Sequence, residues 1–259
     1  MLRLGCINYI NTLPLFAAIL HGHVKLSDVK ITLAPPAKLN QMLLQDDLDI
    51  SLISSIEFLK NRDHLQHVFP FGIAAKQAVQ SVLLFHREPI KLLNKKKVAL
   101  TEESATSVAL LKILCKHYWK CTPYFEIIDP NIPIETYDAY LLIGDKALLA
   151  RQETSFQMTD LANAWFQFTD LFMPFGILAA KKTLSKEILS KCKLALYESL
   201  KWGQEHVNEV ILLATNQLYP GSTQKNDLKI RISNYFDLLT FIFNKKELAG
   251  LEKFATYVR

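Results

Sequence analysis

The chain has 259 residues, half of them hydrophobic and 21% charged, so it can bury a sizeable core in one large domain or two small ones, and disorder is excluded. Its formal charge of +5 comes from scattered basic residues, which suits an anionic small molecule and offers no nucleic-acid footprint. Cys6, Cys115, Cys121 and Cys192 have no metal-site spacing, no run approaches the ~18 uncharged apolar residues that cross a bilayer, and "MLRLGCINYI" is no secretory signal; a cytoplasmic protein is expected.

"LRLGCINYI" reads as a strand and "LPLFAAILHG" as a helix entered through Pro14, where a missing N–H costs little. "KITLA" is a second strand. After Pro35-Pro36, "AKLNQMLLQDD" sets Leu39, Met42 and Leu43 on one helical face. "LDISLIS" is a third strand and "SIEFLKN" starts another helix, so an α/β domain with a largely parallel sheet is predicted. "SVLLFHR" leads to a second unit. There, Lys95-Lys96-Lys97 is a solvated turn into the strand "KKVALT", and "SVALLKILCKHYW" is a helix with Val108, Leu111 and Leu114 on one face; "YFEII" and "AYLLIG" are further strands. "FMPFGILAAKK" is strand-like and returns the chain to the first unit. From Ser185 to Leu218 the sequence is helical but too long for one uninterrupted helix, with Gly203 either breaking it or tolerated at a cost of about 1 kcal/mol. A last helix, Lys245 to Val258, spaces Leu248, Leu251 and Phe254 along one face. The expected organisation is two α/β lobes, 1–84 with 179–259 and an inserted 85–178, with a ligand cleft between them.

Four polar clusters fall where predicted strands give way to helices or loops: Asn8/Asn11/Thr12, Ser54/Ser55, Ser104/Thr106/Ser107 and Gly144/Asp145. Open α/β sheets bind ligands at the carboxyl ends of their strands, and helix N-termini attract carboxylates through free N–H groups. The same residue types also cap helices, at about 1 kcal/mol each, and the two roles are compatible. "GCINYINTLPL" is the most telling stretch. A loop that only turned the chain would draw on Gly, Asp or Ser, whereas Asn11 and Thr12 are placed to hold something.

Other chemistry finds no support in the sequence. The seven histidines form no zinc-enzyme motif, and there is no dinucleotide fingerprint, phosphate-binding loop or nucleophile elbow. "DDLD" at 46–49 closes a helix and opens a strand, and the aromatics of "WFQFTDLFMPF" suit a core or a hinge. From its residues alone the chain is a binding fold for a small anionic organic molecule, and a receptor and an enzyme both remain open.

Taken together and in order across residues 3–182, "INYINTLPL", "LDISLISSIEFLKN", "LIGDKALLA" and "DLANAWFQFTDLFMPFGILAA" resemble chorismate dehydratase, the first enzyme of the futalosine route to menaquinone. The sister enzyme of that route, 1,4-dihydroxy-6-naphthoate synthase, opens with an "SPCPNDT"-like motif where this chain has "INYINTLP". "FMPFGILAA" departs from the family's "LPFVFAVWA"-like segment by lacking the tryptophan. The resemblance implies a two-lobed type II periplasmic-binding-protein fold and conversion of chorismate to 3-[(1-carboxyvinyl)oxy]benzoate and water. It implies no metal and no cofactor, no nucleic-acid partner and no membrane insertion. It puts Asn11 in the active site, orienting the substrate or bonding the departing hydroxyl. Thr106 and Ser107 are then expected to hold a carboxylate, with Thr12, Ser54, Ser55 and Ser81 lining the site. Asp145 either bonds the substrate hydroxyl or braces a loop. The rivals are a non-catalytic small-carboxylate binding protein and the sister synthase. A DNA-binding regulator would need a helix-turn-helix unit, for which no leading segment has room.

Overall fold

The computed structural model describes residues 1–129, 131–150, 156–220 and 226–258. The chain opens with three strand–helix steps. β1 (Leu2–Ile7) passes through a 3-10 turn at Ile10–Thr12 into α1 (Leu13–Leu20), β2 (Val29–Ala34) into α2 (Pro36–Leu44), and β3 (Ile50–Ser54) into α3 (Ser55–Lys60). β1 lies between β2 and β3 and runs parallel to both. β3 is buried at every position, as a strand covered on both faces should be. β4 (Leu65–Ala75) follows.

The chain then enters a second sheet, with β5 (Val82–His86), β6 (Lys97–Leu100), α4 (Ala105–Ile113), β7 (Tyr124–Ile127), β8 (Ala139–Ile143), α5 (Gly144–Ala150), β9 (Gln157–Asp160) and α6 (Leu161–Thr169). It returns along β10 (Met173–Lys181), which pairs with β3 and β4 in the first sheet. α7 (Lys186–Glu205), α8 (Val207–Leu218), α9 (Asn226–Phe236), β11 (Leu239–Ile242) and α10 (Lys245–Val258) complete it. The strand orders are β11-β4-β10-β3-β1-β2 and β7-β6-β8-β5-β9.

Tertiary context adjusts several expectations. "SVLLFHR" is β5, antiparallel to both β8 and β9 inside the second sheet. Gly203 does not break the helical tail; α7 runs on to Glu205 and the chain turns at His206. A Cβ on Gly203 would lie 2.4 Å from the Pro14 carbonyl oxygen, so this glycine is where α7 meets α1. β4 escaped the pattern because Pro70 interrupts it. The strand tolerates the missing donor beside register shifts, and the Pro70 carbonyl accepts from Phe243 N–H at 2.7 Å.

Two of the three "DDLD" acids, Asp46 and Asp49, are taken up by cations. Asp49 receives the Arg3 guanidinium at 2.6 and 3.1 Å, and Asp46 pairs with Lys181 at 2.6 Å. The Arg3 contact holds the Asp49 carboxyl below the usual carboxylate range. All four cysteines are buried free thiols, and burial pushes Cys6 and Cys192 up to about 12. Among the described residues, no helix is long and apolar enough to cross a membrane.

Candidate active site

The residues that follow β1, β3, β6 and β8 meet in one cavity of about 50 Å³ between the two sheets. Its polar wall is made of Asn11, Ser54, Ser81, Ser104 and Ser107, and its apolar wall includes Ile7, Ile53, Ile73, Ile143 and Phe175. Tyr9 and Gly144 close one side. Among the described residues lining it there is no lysine, arginine or histidine, and these residues meet an anion with neutral hydroxyl and amide donors.

Each hydroxyl is set by a partner behind it. Asn40, on the buried face of α2, clamps Ser54: its Nδ2 donates to Ser54 Oγ at 3.1 Å, and Ser54 N–H donates to its Oδ1 at 2.9 Å. Buried Tyr235 donates its hydroxyl to Ser81 Oγ at 3.0 Å. Both serines accept from behind, which leaves their own protons to donate forward. Ser104 caps α4, with Ser107 N–H donating to its Oγ at 3.2 Å and the two hydroxyl oxygens 2.9 Å apart. The first turn of α4 thus adds its positive dipole end to the same wall. Asn11 Oδ1 is buried and has no hydrogen-bond partner among the described residues. An unpaired buried amide oxygen is costly, and here it belongs to a residue that lines the cavity.

Other expected site residues lie behind this lining. The Thr12 hydroxyl is 2.9 Å from the carbonyl oxygens of Ile7 and Tyr9, where it stitches the turn to the end of β1. Thr106 Oγ1 accepts from Ile56 N–H at 3.2 Å, a link from α4 to α3. Ser55 Oγ is buried with no hydrogen-bond partner among the described residues, and Ser55 lies outside the cavity wall. Asp145 has both oxygens engaged, Oδ1 by Ile10 N–H at 3.1 Å and Oδ2 by Gln217 Nε2 at 3.2 Å. Burial pushes its carboxyl up to about 6 while those two bonds pull the other way.

Tyr9, Asn40 and Tyr235 were missed by the sequence reading. Asn40 carried a signal, a polar residue between the core positions Leu39 and Leu43. Among the described residues, no three of His, Cys, Asp and Glu come together as a metal site.

The family model described as "Menaquinone biosynthesis" matches residues 2–259. This chain belongs to the menaquinone-biosynthesis family. It is 36% identical to chorismate dehydratase of Thermus thermophilus over 69% of each chain, and 30% identical to that of Campylobacter jejuni over 72% of each. Against 1,4-dihydroxy-6-naphthoate synthase of T. thermophilus it is 23% identical over 81% of this chain and 77% of the other. A crystal structure of a protein from Archaeoglobus fulgidus superposes with a TM-score of 0.80 at 20% identity, covering 98% of this chain and 95% of that one. The periplasmic aliphatic sulphonate binding protein of Escherichia coli gives a TM-score of 0.66 at 14% identity, covering 98% and 85%. The fold is therefore the two-lobed periplasmic-binding-protein type. In this family member the cavity occupies the cleft between the lobes.

Proposed function

We infer that this chain is a chorismate dehydratase, a hydro-lyase of menaquinone biosynthesis by the futalosine route, converting chorismate to 3-[(1-carboxyvinyl)oxy]benzoate and water. The observation that carries this is the 36% identity to a chorismate dehydratase over 69% of this chain, against 23% for the naphthoate synthase. The chemistry suits an uncharged site. The C3–H bond breaks, its electron pair completes the aromatic ring, and the C4 hydroxyl leaves with a proton as water. The ring carboxylate activates the C3 hydrogen, and the enolpyruvyl group hanging from C3 brings its own carboxylate within reach of that proton. Substrate-assisted proton removal asks the protein for orientation and charge stabilisation, and a cavity of serines with one asparagine amide supplies both.

In this reading Asn11 contacts the departing hydroxyl and orients the ring. Ser107, with Ser104 and the α4 N-terminus, holds one carboxylate. Ser54 and Ser81 donate from the other sides, Thr12 and Thr106 shape the walls from behind, and Ser55 borders the first lobe. The lobes themselves we take as 1–84 with 179–259 and 85–178; the two sheets support the division into two, while their strands put the crossings a few residues earlier, β5 belonging to the second sheet from Val82 and β10 to the first from Met173. Four free buried thiols suit a reducing compartment, which supports a cytoplasmic enzyme with a small acid and no nucleic acid as its partner.

Purified protein incubated with chorismate tests the reading, following loss of the diene absorbance and the product mass. A product lighter by one water establishes the dehydratase; chorismate bound and returned intact establishes a binding protein instead. Asn11→Ala is expected to lower kcat by about 10²-fold with the melting temperature unchanged. Wild-type turnover in that variant would remove Asn11 from the reaction.

A further inference from the structure

We propose that Asp145 is a positioning residue for the reaction: from the second lobe it fixes the backbone of the turn that carries Asn11, without itself touching substrate. The proposal rests on the chorismate dehydratase reading above.

Asp145 sits in the first turn of α5, one residue beyond Gly144 in the cavity wall. Its Oδ1 accepts from Ile10 N–H, the first amide of the 3-10 turn Ile10–Thr12, across a separation of 135 positions in sequence. No side chain at Tyr9 caps that turn, and a helical turn leaves its first donors without internal partners. The second lobe supplies the missing acceptor. Asp145 Oδ2 receives Gln217 Nε2 at 3.2 Å, and the same amide nitrogen donates to the Asn8 carbonyl at 2.9 Å.

Residues 8 and 10 are thus held on either side of Tyr9. Tyr9 is held as well: its hydroxyl donates to Glu103 Oε2 at 2.9 Å, and Lys146 pairs with Glu103 Oε1 at 2.7 Å. The stretch leading into Asn11 is therefore held at three consecutive residues, Asn8 by its carbonyl to Gln217 of its own lobe, and Tyr9 by its hydroxyl and Ile10 by its N–H to carboxylates of the opposite lobe. Both oxygens of Asp145 are spent in doing this, and Asp145 is absent from the cavity lining.

The test compares wild type, Asp145→Ala and Asp145→Asn in steady-state kinetics with chorismate, thermal unfolding, and hydrogen exchange of a peptide covering residues 8–12. An Asn at this position still presents an Oδ1 to Ile10 N–H. The expected result is a fall in kcat of roughly 10- to 100-fold for Asp145→Ala, the scale of a misplaced catalytic group, with KM little changed and faster exchange at 8–12. Asp145→Asn recovers kcat to near wild type and restores slow exchange. Equal loss of kcat in both variants overturns the proposal, because the carboxylate itself then acts on substrate. Wild-type kcat in Asp145→Ala overturns it too.

If wild type does not turn over chorismate, the functional reading fails, and exchange alone decides the clasp: no acceleration in Asp145→Ala overturns it. Should Asp145→Ala not fold, Gln217→Ala on the exposed face of α8 replaces it. A lower kcat with faster exchange at 8–12 supports the clasp, and wild-type values of both overturn it.

Discussion

Gly144 is in the left-handed region at φ +59°, and the ring of Tyr9 rests where its side chain would be: a Cβ there would lie 2.8 Å from Tyr9 Cδ2 and Cε2. Gly144→Ala therefore meets two penalties, about 1–2 kcal/mol of backbone strain and the displacement of a ring that closes the cavity. A lower melting temperature together with reduced kcat is expected, measured by thermal unfolding and initial rates; a lowered melting temperature with intact kcat would mean Tyr9 does not shape the site. Asp145 gives a second prediction at this scale. Its carboxyl is raised from 3.8 to about 6 by burial, so between those values the folded protein holds a proton that the unfolded chain has released. Stability from this group is present below pH 3.8 and is lost as pH rises through about 6. Asp145→Asn cannot ionise, and its melting temperature should exceed wild type most above pH 6 and converge with it near pH 4. A difference that does not vary with pH would contradict the shift.

At the scale of elements, Gly203 shows how a helix pair sets a residue that no local pattern reveals. The Pro14 carbonyl oxygen, 2.4 Å from the position of a Cβ, leaves room for hydrogen alone. Gly203→Ala gains up to about 1 kcal/mol of helix propensity and forces α7 away from α1, with overpacking costs of about 1–3 kcal/mol. The melting temperature should fall while kcat of the folded enzyme stays at wild type; a rise would show that α1 yields freely. Strands β1, β3, β6 and β8 and helix α4 were legible because their apolar runs and periodicities are local. β4 was not, because Pro70 breaks its pattern and its partners β10 and β11 lie far along the chain. β9 and α6 were hidden for another reason. β9 is four partly exposed residues, and Asp160, which caps α6 through Oδ1, also receives Val79 and Gln80 N–H on Oδ2, an arrangement only the fold creates. The cavity hydroxyls were readable from strand ends. Asn40, Tyr235 and Gln217 were not, since what they do depends on which residue they meet.

For the molecule as a whole, the two lobes are joined by buried polar links as well as by apolar packing. Thr106 Oγ1 is the acceptor for Ile56 N–H, with Thr106 fully buried. Thr106→Val keeps the shape and leaves that N–H unpaired in the interior, a loss of about 1–3 kcal/mol. For a chain of this size the melting temperature should drop by several degrees, with kcat/KM reduced because the α3–α4 contact between lobes loosens. Unchanged stability would mean that Ile56 N–H finds another acceptor. Together with the Asp145 and Glu103 contacts, this makes the relative placement of the lobes a property of named hydrogen bonds, each removable by one substitution.

The buried thiols carry a practical consequence. Cys6 and Cys192 lie in β1 and α7 with the first sheet, while Cys115 lies in the helical segment Leu114–Trp119 that follows α4 and Cys121 just beyond it, beside the second. Burial keeps all four thiols protonated near neutral pH, and a protonated, enclosed thiol does not react with alkylating reagents. Each pair is a clock for its own lobe. The order in which the two pairs become labelled during slow denaturation records which half of the enzyme opens first, with no cysteine introduced.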